Sequence, residues 1–322
     1  MENGSIRRFG VLIVGAGNIA SKYDSMEDTS FLTHAHMISV LPGFHLHGFY
    51  DIDSTAANVA AKKWNTRFFE IMEEALTGAD IVCIAVPDRY HIDSIRECLI
   101  YKNTIRAFII EKPIATNTKD AKEIVDTCAR HGIPIFLNYS RRYRQEFSFL
   151  RDWIRDNAGV FISGVCHYGK GTIHNASHLV DILRFLFGDL LIRDAGFSYT
   201  DYSDNDKSYD FTLETHNGSP IYFHPIPCCF VTVFEFDLFF EKARVKYSDE
   251  NGLIEFYAVT ETNSQFKEKN YTKIRECQID PSSALRGLYN NVYDNLLNNS
   301  PPLCTGLDGV ETLNIVERIG LK

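Results

Sequence analysis

The chain has 322 residues, a formal net charge of −9 and a hydrophobic fraction of 45%. That length exceeds one compact core and predicts two domains, while an acidic balance with no Lys/Arg-rich run argues against a nucleic-acid surface. No segment approaches the ~20 apolar residues of a membrane span, and eight cysteines without a C-x-x-C spacing read as reduced thiols of a cytoplasmic protein.

Arg7 and Arg8 precede Val11–Val14, an apolar run too short for the core of a signal peptide. From Phe9 to Val14 the chain is apolar and ends in Gly15-Ala16-Gly17. Leu46–Asp51, Ile81–Val86, Phe108–Ile110 and Ile133–Leu137 are similar runs, each bounded by Gly, Pro or charged residues. Such runs read as buried strands of a parallel sheet. Helical patterns at 54–64, 91–101 and 118–132 alternate with them; the last has Asn117 or Thr118 as N-cap and Gly132 as its stop. Strand–helix alternation predicts a doubly wound α/β domain, placed at residues 1–140 with the boundary near Asn138–Tyr143.

The remaining residues, 141–322, change character. A helical pattern at 147–157 and a strand-like 160–169 lead into Gly171–Leu183, which carries His174, His178 and Asp181. Strand signals dominate from Leu191 to Val259, with hairpin turns at Asn217–Gly218 and Asn251–Gly252. An antiparallel sheet with the 174–187 segment as a helix on it is expected, and helices return at 285–299 and 307–320.

"GAGNIA" places Gly15, Gly17, Asn18 and Ile19 directly after the first strand. Glycines there allow a tight turn and close approach of backbone to a pyrophosphate, with a helix N-terminus behind them. Asp51 ends the second run, where a carboxylate accepts from a ribose diol and repels a 2′-phosphate, favouring NAD over NADP; the plain alternative is a solvated strand end. Residues 21–33, "SKYDSMEDTSFLT", lengthen the gap to Asp51 and read as a loop over the cofactor cleft, or as a surface insertion. Lys112 lies in Glu111-Lys112-Pro113 after Phe108–Ile110, at a strand end where α/β sheets gather ligands.

"GAGNIA", "VPDRYH", the stretch from Glu111 to Tyr143 and "HNASHLVDILRFLFGD" occur in an order that resembles the Gfo/Idh/MocA oxidoreductases. The resemblance implies a Rossmann domain, then an α+β domain whose open antiparallel sheet builds the substrate pocket and mediates a homo-oligomer, dimer or tetramer. It implies NAD, with NADP as the alternative, and hydride transfer to or from a carbohydrate carbon. Lys112 then orients the reacting oxygen and His178 is the acid–base, with Asp181 and His174 in the catalytic set. Pro87, His91 and Glu111 stand beside the cofactor; Arg142 and Asn175 border the substrate. Many members have Asp where His174 stands, a change of charge and hydrogen-bonding reach.

His174 and His178, four apart, share a face of a regular helix. Zinc needs a third ligand and an open site; with neither H-E-x-x-H nor a Cys/His cluster present, no metal is expected. Three other accounts remain: polar residues merely satisfied on a helix, a cofactor recycled on one substrate, and a regulatory or sugar-binding protein without catalysis.

Overall fold

A computed structural model describes residues 7–101, 104–261 and 268–320. The chain forms two compact units, Met1–Tyr143 with Ser282–Val310, and Arg144–Pro281 with Glu311–Lys322. A single crossing near residue 140 was expected; the segment from Ser282 instead packs with the first unit.

The first unit begins β1 (Phe9–Val14), α1 (His34–Val40), β2 (Phe44–Tyr50), α2 (Ser54–Lys63), β3 (Phe68–Phe69) and α3 (Met72–Leu76). It continues β4 (Ile81–Ile84), α4 (His91–Ile100), β5 (Ala107–Ile110), α5 (Thr118–Arg130) and β6 (Ile135–Leu137). All strand pairs are parallel, in the order β3-β2-β1-β4-β5-β6. Every residue of β1, β4 and β5 is buried, as strands covered on both faces require. β6 starts two residues later than the apolar run suggested, because Pro134 has no N–H for the ladder. Asp53 caps α2 through Thr55 N and Ala56 N, and Asn117 caps α5 through Asp120 N. The order of strands reverses between β1 and β4, so a crevice opens at their carboxyl ends.

The second unit contains α6 (Gln145–Trp153), β7 (Phe161–Tyr168), α7 (Ser177–Phe187), β8 (Leu190–Ser203), β9 (Asp206–Thr215), β10 (Pro220–Pro225) and β11 (Phe234–Phe240). β12 (Ala243–Ser248), β13 (Leu253–Glu261) and β14 (Lys269–Gln278) complete its sheet, ordered β14-β13-β12-β11-β7-β10-β9-β8. Both expected hairpins form, Gly218 and Gly252 supplying positive φ. One pair departs from the antiparallel expectation: β10 runs parallel to β7, because the β8–β9–β10 meander returns beside it. β11 and β12 alternate buried and half-exposed residues. The buried face packs on the helices through rings: Phe147 on Tyr247, Trp153 on Phe256, and Phe187 on Phe161 and Phe240.

The chain then forms α8 (Ser283–Asn298) and α9 (Gly306–Ile319), the latter divided between the units after Val310. α8 sets Tyr289 edge-on to Phe44 at 5.3 Å and Tyr293 edge-on to Phe9 at 5.8 Å. Gly287 lets α8 approach the 140–143 turn: a Cβ there would stand 1.9 Å from Tyr143 O. Gly287→Ala is therefore expected to destabilise the protein by about 1–3 kcal/mol, the cost of overpacking. A fall in the urea midpoint checks it; an unchanged midpoint would mean that α8 does not sit against this turn.

Candidate active site

The turn after β1 is fixed by backbone. Gly15 N donates to Tyr50 O at 2.7 Å, and φ at Gly15 is +106°. Any Cβ there would come within 2.8 Å of the Ala85 carbonyl. Asp51 clamps the same turn: its Oδ2 accepts from Ala16 N at 2.7 Å and its Oδ1 from Asp53 N at 3.0 Å. A Cβ at Gly17 would meet nothing within 4 Å, and Gly17 lines a cleft of about 480 Å³ with Gly15, Asp51, Asp53, Pro87 and Arg89. Backbone open on a cleft beside a carboxylate fits a dinucleotide, whose pyrophosphate needs the space a side chain would fill.

Asn18 and Ile19 do not line that cleft. They lie in a five-residue π-helical turn, Asn18–Lys22, held by Trp64 Nε1 and Lys63 Nζ donating to Ser21 O. The continuous helix expected behind the glycines is therefore absent; α1 starts only at His34. Residues 21–33 are instead organised around the buried Asp24 carboxylate. It accepts from Leu32 N at 2.5 Å, Thr33 N at 3.1 Å and Thr33 Oγ1 at 2.5 Å, with His36 Nδ1 at 2.9 Å. Burial opposes its charge, yet these bonds outweigh burial and hold it below the usual carboxylate range.

Pro87 is exposed on the cleft, but His91 is buried behind it. The two ring nitrogens of His91 lie 2.9 Å from Val86 O and 3.1 Å from Ile114 O. Burial pushes its pKa down although both carbonyls favour the charged ring; the ring sits between the loops after β4 and β5. Lys112 follows β5 and is half-exposed. Its neighbour Glu111 turns inward, its Oε1 accepting from Asn138 Nδ2 at 2.6 Å and lying 2.8 Å from His34 Nε2.

In the second unit Thr172–Ala176 is a π-helical turn that precedes α7. Gly171 has φ +86°, and a Cβ there would overlap Asp206. Asp206 accepts from Ile173 N at 2.9 Å and His174 N at 2.7 Å. Asn175 Nδ2 donates to Gly169 O at 2.8 Å. His174 is exposed and stacks on Tyr202 at 4.9 Å, whereas the half-buried His178 meets Phe234 edge-on at 6.3 Å. The two histidines meet different rings. Asp181 is buried in α7. Among the described residues, no three His, Cys, Asp or Glu side chains group as metal ligands would.

Arg142, expected to border the substrate, is buried. Its side chain is 5% exposed and Nη1 donates to Asp308 Oδ1 at 2.9 Å. Asp308 also accepts from Thr305 N and Oγ1 at 2.8 and 2.7 Å. Burial works against the Asp308 charge, but Arg142 and Thr305 hold its pKa low. Asp24, His34, Asn138, Asp206 and Tyr289 were missed. The one local signal was Thr33, which caps α1 through His36 N and marks "THAH" as a helix start.

Residues 9–139 match the GFO_IDH_MocA model, described as an oxidoreductase family with an NAD-binding Rossmann fold. Glucose-6-phosphate 3-dehydrogenase of Bacillus subtilis (strain 168) is 25% identical over 161 residues, 50% of this chain and 42% of that protein's length. UDP-N-acetylglucosamine 3-dehydrogenase GnnA from Acidithiobacillus ferrooxidans has a similar structure, with TM-score 0.78 at 14% identity over 98% of this chain and 97% of that one. GenD2 from gentamicin A biosynthesis, in complex with NAD, gives 0.73 at 17% identity over 98% and 94%. At such identities the structural likeness is one of fold.

Arg142→Ala would leave the half-buried Asp308 without this cation. The expected cost is about 3 kcal/mol in stability, read as a lower denaturant midpoint, with NAD affinity unchanged by calorimetry. A normal midpoint combined with a raised Michaelis constant would return Arg142 to the substrate.

Proposed function

The chain belongs, through residues 9–139, to the GFO_IDH_MocA oxidoreductase family, and on that footing we propose that it is an NAD-dependent dehydrogenase or reductase acting on a carbohydrate carbon, in a sugar, a cyclitol or a nucleotide-linked sugar. The observation that carries this is the Gly15–Gly17 turn, open on the cleft and clamped by Asp51. The names of the Bacillus and Acidithiobacillus proteins, both sugar 3-dehydrogenases, support a sugar-like substrate.

Bound NAD supplies the hydride acceptor or donor. Lys112, at the strand end, orients the reacting oxygen and stabilises charge that develops on it. His178 takes the hydroxyl proton during oxidation and returns it during reduction. Asp181, one turn on in α7, orients that ring, and His174 and Asn175 face the substrate from the π-helical turn. The half-exposed face of the eight-stranded sheet, where Val165, His167, Glu235, Asp237 and Lys246 line a depression of about 440 Å³, is the surface for a dimer or tetramer. No described helix is long and apolar enough to cross a membrane.

A screen of free and nucleotide-linked sugars, followed by NADH absorbance, tests the reaction. Lys112→Ala and His178→Ala should each lose about 10²–10⁴-fold in turnover while binding NAD nearly normally. Turnover retained in a folded His178→Ala protein would remove the central assignment. The cleft wall carries Asp51, Asp53, Asp93 and Glu97 against Arg89, so NAD should bind more tightly than NADP; calorimetry showing the reverse would overturn the role of Asp51.

A further inference from the structure

Four side chains form one transverse row on the half-exposed face of the second unit's sheet. Across the parallel β7–β10 pair, His167 stands directly beside His224. Glu235 of β11 is the register partner of His167 on its other side. Asp210 of β9 continues the Phe223–Phe211 register and stands beside His224. The order along the row is therefore Asp210, His224, His167, Glu235. All four side chains are part-exposed, and the two rings lie 6.2 Å apart between centroids, tilted by 34°.

Each histidine is tied to the carboxylate on its outer side. His167 Nδ1 lies 2.9 Å from Glu235 Oε1, and His224 Nδ1 lies 2.5 Å from Asp210 Oδ2. An ionised carboxylate only accepts, so each Nδ1 carries a proton and donates it. The lone pair of the neutral ring is then on Nε2. Among the described residues neither Nε2 has a protein partner. Each Nδ1 is turned outward along the row, so each Nε2, nearly opposite on its ring, is left toward the gap between the two histidines.

We propose that His167 and His224 chelate one divalent cation of the zinc, nickel and copper class through Nε2, with Glu235 and Asp210 as the carboxylates that fix the two rings. Imidazole nitrogen suits these cations, and a ligating histidine whose other nitrogen donates to a carboxylate is the usual arrangement around them. Here that arrangement occurs twice, side by side, on strands that only the fold brings together. A cation shared by two Nε2 atoms at about 2.0–2.1 Å sets the ring centroids about 5 Å apart, so from 6.2 Å the rings close by about 1 Å, a small rotation for part-exposed side chains. The protein offers two direct ligands and water completes the coordination. His167 and Glu235 also line the depression of about 440 Å³ on this face, which gives a hydrated ion room. With both rings neutral the row carries two negative charges, which a divalent cation balances. None of the four residues takes part in the reaction proposed above.

Two measurements on the full-length chain, freed of metal by a chelator, test the proposal. Calorimetric titration with Zn²⁺ should show one ion bound per chain. Glu235→Gln and Asp210→Asn should each weaken that binding by about 10–100-fold, the usual effect of losing the partner behind a ligand, and His167→Gln or His224→Gln by more. His216→Gln, between β9 and β10, should leave it unchanged. No binding would overturn the site, and so would binding that survives both histidine substitutions, as on the exposed Cys229 thiol. In ¹⁵N-histidine spectra of the unaltered protein, Zn²⁺ should move the Nε2 resonances of two rings while each Nδ1 stays protonated. These rings are identified by their loss in His167→Gln and His224→Gln. A response in one ring only, or at Nδ1, would overturn the shared site.

Discussion

A carboxylate withdrawn from water at the end of β5 constrains the first unit more than any other group. An unpaired buried charge costs several kcal/mol, so Glu111 can be held there only if donors are brought to it. They come from α1 and from the end of β6, with α8 behind His34. The registers of the sheet ends, the start of α1 and the seating of α8 are thereby coupled through one oxygen. The 21–33 insertion obeys the same rule on a smaller scale. Its buried Asp24 draws Leu32, Thr33 and His36 around it, and its far end delivers His34 to Glu111. A stretch that looks like a polar loop is a pair of charge-satisfied anchors joined by a short exposed arc.

Features set by neighbours in sequence were legible. Runs such as Phe9–Val14 and Ile81–Ile84 are apolar throughout because both faces are covered. Asn117, Gly218 and Gly252 have the local geometry their residue types suit. What was not legible depends on distant partners. The π-helical turn at 172–176 is held by Asp206, 32 residues beyond His174. An amphipathic pattern at 285–299 states that α8 buries a face, but not that the face belongs to the first sheet. The parallel β7–β10 pair arises from the path of the chain and leaves no mark in either strand.

The candidate site divides along the same line. Gly15 was readable because the tight turn, with its positive φ and the Ala85 carbonyl close by, requires a glycine where it stands. His91, Glu111 and Arg142 were read as ligand contacts from the family resemblance. In the structure they hold the protein together: His91 lies between two carbonyls, Glu111 between α1 and β6, and Arg142 on Asp308, 166 positions away. Residue type and position fix that such a side chain meets something polar at the crevice, and only the fold decides whether that partner is protein or ligand.

The seating of α8 has a consequence for how the protein is made. Tyr289 and Tyr293 complete an aromatic cluster begun by Phe9 and Phe44, and Tyr289 is the outer partner of His34. At about 5–20 residues per second on the ribosome, these tyrosines emerge on the order of ten seconds after β6. Throughout that interval the nascent nucleotide-binding half waits with an uncovered aromatic surface, and it cannot mature as an independent N-terminal fragment. Completion of the dinucleotide fold is thus coupled to translation of α8, long after β6, and a chain truncated before Ser283 would present that aromatic surface to chaperones and proteases.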